Sequence, residues 1–166
     1  LEFPSLINHP VKVHSRFTRE QILAGFGDSS FERKSSSREG VIAIKESNAI
    51  LLFVTLDKCE KSYSPTTLYH DYAISPFRFH WQSQNASHPD SGRGLSYIKQ
   101  KQNGTKIILF VREKNKDQFG RTMGFVNFGE VEYLKHSGSK PMNIVWLLKQ
   151  EMPSQMWQQA AKLAIG

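Results

Sequence analysis

Cysteine is almost absent from this chain: Cys59 stands alone among 166 residues. An intrachain disulfide and a thiolate zinc cluster are thereby excluded, and a lone thiol suits a reducing compartment. Long apolar runs are missing too. None reaches the ~18 residues that a membrane-spanning helix needs. The N-terminus has neither the basic start nor the long apolar core of a secretory signal. No glycine-rich phosphate loop follows a strand; Gly25-Phe26-Gly27 closes a helix instead, which argues against nucleotide hydrolysis. His9, His14, His70, His80, His88 and His136 are scattered, with no ligand pair at helical spacing. His88 and Asp90 share a loop, too sparse a pairing to define a metal or nuclease site. Acidic residues are in deficit, 15 against 22 Lys and Arg, for a net charge of +7. That surplus favours a polyanionic partner, nucleic acid before an anionic membrane surface. Binding therefore ranks above catalysis, and the domain is expected to be no enzyme and to need no cofactor or metal.

What is present describes one globular domain over residues 1–166, with 39% hydrophobic content. The chain does not begin with Met, so it is expected to be a fragment of a larger protein. Val11 and Val13 suggest a short strand. Thr18 with Gln21 makes a capping box, and Ile22, Leu23 and Phe26 share a face of the helix that follows. Asp28 to Arg38 is a polar loop holding Arg33, Lys34 and Arg38 among serines. Ala49 to Leu56, AILLFVTL, is an apolar run between turn residues, the pattern of a strand buried on both faces. Leu95 to Lys106, with Asn103-Gly104, reads as a hairpin. Ile107 to Val111 is a second apolar strand, and Arg112 to Arg121 a charged loop. Thr122 to Phe128 and Val131 to Leu134 read as two strands parted by Gly129, and Asn143 to Leu148 as a last one. Met156, Trp157, Ala160, Ala161, Leu163 and Ala164 have helical spacing. The expected fold class is α+β: a single domain whose mainly antiparallel sheet curls into a β-barrel, with flanking helices near both ends.

Leu68 to Asn85, LYHDYAISPFRFHWQSQN, carries Tyr69, Tyr72, Phe77, Phe79 and Trp81 among His70, Asp71, His80, Gln82 and Gln84. Rings beside amides and carboxylates suit a planar, hydrogen-bonding ligand such as a nucleobase. A hairpin with an aromatic core face fits the same residues. From Pro76 onward, alternation puts Phe77, Phe79 and Trp81 on one face and Arg78, His80 and Gln82 on the other. Phe77 and Phe79 then read as core, Trp81 as the rim, and the Tyr69–Tyr72 loop as the opposite wall of a pocket.

The run SPTTLYHDYAISPFRFHWQSQN, with FTREQILAGFG before it and IILFVRE and GSKPMNIVWLLKQEMP after it, resembles the C-terminal domain of bacterial helicase-like proteins. These include modification-dependent (type IV) restriction enzymes of the SauUSI type. The likeness covers nearly the whole chain. It implies a domain similar to the SRA domain, the SET- and RING-associated reader of 5-methylcytosine, of the SRA/PUA-like barrel kind. It also implies nuclease and ATPase domains in the same parent chain and a bacterial cytoplasmic setting. Laid on the SRA pattern, Tyr69 and Asp71 are the loop pair and Trp81 the second aromatic, with Gln82 and Ser83 following. The glycine-rich signatures beside the SRA pocket are absent, and Trp81 stands where tyrosine is usual; Tyr63, Tyr72 and Phe79 are further candidates.

The implied function is recognition of 5-methylcytosine, or 5-hydroxymethylcytosine, in double-stranded DNA by base flipping. Tyr69 and Trp81 would sandwich the base, and Asp71 would accept from its exocyclic amine. Gln82, Ser83 and Tyr72 would complete the pocket. Arg33, Lys34, Arg38, Arg93, Lys99, Lys101 and Arg121 would hold phosphates, so that affinity falls with salt. The alternative is a modification-indifferent nucleic-acid-binding module supporting an attached helicase-like ATPase.

Overall fold

The computed structural model describes residues 11–27, 40–57, 71–84 and 87–165. The elements in order are β1 (Arg16–Phe17), α1 (Arg19–Gly25), β2 (Val41–Ile44), β3 (Ala49–Asp57), β4 (Tyr72–Ser75) and β5 (Arg78–Gln82). They continue with α2 (Gly92–Ile98), β6 (Lys106–Lys114), β7 (Phe125–Ser137), β8 (Asn143–Leu148) and α3 (Ser154–Ile165). The strands form one sheet in the order β2-β3-β6-β7-β8-β5-β4, with β1 laid against β7. No helix among the described residues is long and apolar enough to cross a membrane.

β3 and β6 pair in parallel, Ile50 opposite Ile107 and Leu52 opposite Leu109. Both strands are buried on both faces, as their unbroken apolar sequence predicts. Ile50, Leu52 and Val54 point into one core with Ile107, Leu109 and Val111. Ala49, Leu51 and Phe53 point into a second core with Ile108 and Phe110. α1 covers that second core with Ile22 and Leu23. Its start is fixed as expected: Gln21 N–H donates to Thr18 Oγ1 at 3.2 Å, and Thr18 N–H to Gln21 Oε1 at 3.0 Å.

The expected barrel is corrected to an open sheet. The first core unites Val41 of β2 with Ala73 of β4 and Phe79 and Trp81 of β5. Strands at opposite ends of the sheet order share one core, so the sheet curls. Yet the described β2 is hydrogen-bonded only to β3, and β4 only to β5, so the ring does not close.

Three local expectations also change. Leu95–Lys106 is no hairpin. Gly92–Ile98 is helical, and Asn103-Gly104 turns the chain into β6. Asn48, in the left-handed region at φ 47°, holds that turn: its Nδ2 donates to Asn103 O at 3.0 Å and its carbonyl accepts Lys106 N–H at 3.0 Å. This clamp starts β3 and β6 side by side, hence in parallel. The two strands expected around Gly129 are one, β7, with a register shift in its pairing to β6. Gly129 adopts φ 89°, and a bulge absorbs it without ending the strand. Val11 is buried but not in a strand, and pairing begins at Arg16.

Candidate binding cleft

The chain leaves β5 through a hydrogen-bonded exchange with the approach to β8. Ser83 N–H donates to Met142 O, and Met142 N–H donates back to Ser83 Oγ, both at 2.9 Å. Residues 87–91 then turn the chain into α2, with Ser87 N–H donating to Gln84 O at 3.0 Å. α2 lies directly on this loop because position 94 has no side chain. A Cβ on Gly94 would stand 2.1 Å from His88 O and 2.7 Å from Met142 Sδ.

Gln84 is tied from both sides. Its Oε1 accepts from Ser87 Oγ at 3.1 Å and from Tyr97 Oη at 2.9 Å. Tyr97 is fully buried, packed edge-on against Trp81 at 5.3 Å and Trp146 at 6.0 Å. Burial pushes the Tyr97 hydroxyl well above its ordinary pKa, and the Arg93 charge and the Gln84 hydrogen bond offset part of that rise. The phenol is therefore a fixed neutral donor, and it orients the Gln84 amide.

Across from Gln84 lie Gly40 and Val41, at the start of edge strand β2. Together with Ser87, His88, Ser91, Gly92 and Arg93 they line a cleft of about 550 Å³. His88 Nδ1 accepts Asp90 N–H at 3.1 Å. That leaves Nε2 as the ring's donor. With Gln84 Oε1 engaged, its NH₂ group carries no partner among the described residues. The lining thus offers donors (the Gln84 amide, the His88 imidazole, the Arg93 guanidinium and the Ser91 hydroxyl), with Val41 as its aliphatic member. Such a cleft suits a ligand bearing carbonyl and phosphate oxygens, and its size lies within the usual ~300–1,000 Å³ of small-molecule sites.

Among the expected pocket residues, Asp71 and Gln82 meet through a hydrogen bond, and none of the described ones lines this cleft. Tyr69 lies outside the described residues, as do Tyr63, Arg33, Lys34 and Arg38. Trp81 is 4% exposed and belongs to the core, not to a rim. Ser83 is fully buried beside it. Gln82 points the other way along the strand and donates from Nε2 to Asn143 Oδ1 at 2.9 Å. Asp71 Oδ1 accepts Gln82 N–H at 2.9 Å and pins the start of β4 to the end of β5. Tyr72 stacks on His80 at 4.5 Å and 11°. Phe77 is corrected from core to surface: it sits in the turn between β4 and β5, 44% exposed. Of the expected phosphate contacts, Arg93 lines the cleft and Lys99 is exposed just past α2. Lys101 is 3.3 Å from Glu132, and Arg121 is 3.6 Å from Asp117. The sequence groups Gln84 with the aromatic stretch and His88 with Asp90, not Gln84 with Ser87, His88 and Ser91. No local signal marks the cluster, since the packing of Gly94 against His88 that gathers it is set by the fold.

No curated protein matches this sequence. A family model does, over residues 11–160, more than half of the chain. The chain belongs to the family described as Domain of unknown function (DUF3427).

Proposed function

We propose that this domain is the DNA-binding, target-recognition part of a larger bacterial nuclease–ATPase, and that it takes a modified cytosine out of the duplex into the cleft beside Gln84. The observation that carries the reading is the cleft itself. A donor-lined hollow of about 550 Å³ opens between the end of β5 and the edge of β2, with Arg93 at its wall. Gln84 Nε2 and His88 Nε2 would donate to the O2 and N3 acceptors of an everted cytosine. Val41 would meet an alkyl group at C5, a contact worth only ~1 kcal/mol per methyl. Arg93, with Lys99 near by on the surface, would hold the flanking phosphates. The sequence resemblance to SRA-like readers supports the same reading, with a changed pocket: the Trp81 ring is a support beneath the cleft through Tyr97, not one half of a sandwich.

The test is a titration of the chain with matched duplexes bearing cytosine, 5-methylcytosine or 5-hydroxymethylcytosine at one position. Tighter binding of a modified duplex is the expected result. Equal affinities for all three remove the modified-base reading and leave the modification-indifferent module. Absence of binding to every duplex removes both.

A further inference from the structure

The loop joining β6 to β7 ends in a built hairpin tip. Asp117 N–H donates to Arg121 O at 2.8 Å, and Gly120 N–H donates to Asp117 O at 3.0 Å. Gly120 takes the left-handed conformation at φ 76°. This is the pattern of a three-residue connection, a tight turn followed by a left-handed glycine. The Asp117 side chain locks it: Oδ1 accepts Phe119 N–H at 2.8 Å and Arg121 N–H at 2.9 Å. The Arg121 amide above all holds that carboxyl below the usual carboxylate range. Lys116 Nζ closes the base of the loop on Thr122 Oγ1 at 3.1 Å.

At the tip stands Phe119, 69% exposed, the most exposed large hydrophobic residue described. The Arg121 guanidinium lies 5.0 Å from the centre of its ring. A pinned turn that holds an aromatic ring in water beside Arg121, itself 3.6 Å from the Asp117 carboxylate, contributes nothing to the core. It fits a partner with an apolar, stackable interior and an anionic surface.

The geometry points to Phe119 as a wedge that inserts between stacked bases of duplex DNA while Arg121 and Lys116 contact the adjoining phosphates. Apolar side chains on DNA-binding proteins unstack and kink base steps in this way. The backbone needs no ordering on binding, because the turn is already set, and the Arg121 guanidinium moves from the ring to a phosphate. Phosphate contacts would be made by Arg121 beside the ring and by Lys116 at the base of the loop. This inference rests on the proposed binding of duplex DNA.

The test compares the wild-type chain with Phe119→Ala and Phe119→Trp, on a duplex carrying 2-aminopurine, whose fluorescence rises when it is unstacked. Phe119→Ala is expected to lose about tenfold in affinity, the scale of one base–aromatic stack, and to abolish the 2-aminopurine rise. Its slope against salt stays unchanged. Phe119→Trp is expected to restore both and to show quenching of the added indole. The exposed position predicts unchanged thermal unfolding for either variant. If the wild type binds DNA but Phe119→Ala matches it in affinity and fluorescence, the wedge is wrong and DNA binding stands. Loss of affinity without any 2-aminopurine rise in the wild type also overturns insertion. A wild type that binds no duplex overturns both proposals.

Discussion

Tyr97 donates its buried hydroxyl to Gln84 Oε1 at 2.9 Å, and this single bond links the core of the domain to the wall of its cleft. Tyr97→Phe removes a donor and leaves Gln84 with Ser87 alone. A loss of about 1 kcal/mol in unfolding free energy is expected, the net worth of one hydrogen bond. Gln84→Ala should cost more, about 1–3 kcal/mol, because it strands the phenol without a partner. Denaturant unfolding of the two variants side by side checks the order.

Trp81 is a core residue, and its truncation should show it. Trp81→Ala is expected to destabilise the fold by about 3–5 kcal/mol, the range for large aromatics in a packed interior. A folded, stable Trp81→Ala chain that had lost only its choice among DNA bases would return Trp81 to the pocket. Thermal unfolding measured before any binding assay decides between these.

Gly94 keeps α2 against the loop that carries His88. Gly94→Ala places a methyl group 2.1 Å from His88 O, a clash with backbone that no rotamer relieves. An overpacking cost of about 1–3 kcal/mol is expected, together with weaker DNA binding, since α2 and the loop form two walls of the cleft. Equal stability of Gly94→Ala and wild type would mean that the helix can slide without consequence.

Glu113 and Arg16 bind through two hydrogen bonds, Nη1 to Oε2 at 2.9 Å and Nη2 to Oε1 at 2.6 Å. Burial raises the Glu113 pKa, but the Arg16 hydrogen bond and charge, with the strand's own backbone, outweigh it and set the group below its ordinary 4.5. A carboxyl lowered in the folded state adds stability above its unfolded pKa and loses it as pH falls through the folded value. Glu113→Gln should therefore destabilise at pH values well above 4.5, with the difference from wild type shrinking in stronger acid. Unfolding midpoints across that range test the sign.

Much of the fold was legible because its signals were local. The capping box at Thr18 and Gln21, the two-faced burial of Ala49–Leu56 and the strand at Asn143–Leu148 each follow from adjacent side chains. The parallel pairing of β3 with β6 was not legible, since Asn48 and Asn103 sit far apart in sequence and meet only in the fold. Barrel closure was misjudged for the same kind of reason: a curled sheet and a closed one have the same alternation. The described cleft lies just past the strand on which the sequence places the pocket. Alternation correctly separated Trp81 from Gln82, but the polar residues that gather at a cleft come after the strand, at Gln84 and His88. What brings them together is the packing of Gly94 and Tyr97, which no periodicity encodes.

The measurement closest to the central claim is the affinity ratio between a duplex with one 5-methylcytosine and its unmodified twin, taken at one salt concentration for wild type and for Gln84→Glu. Gln84→Glu keeps the acceptor for Tyr97 but replaces the NH₂ donor by an anion. The expected wild-type ratio is above one, and it collapses to one in Gln84→Glu. A wild-type ratio of one, or a ratio that Gln84→Glu leaves intact, would contradict the claim.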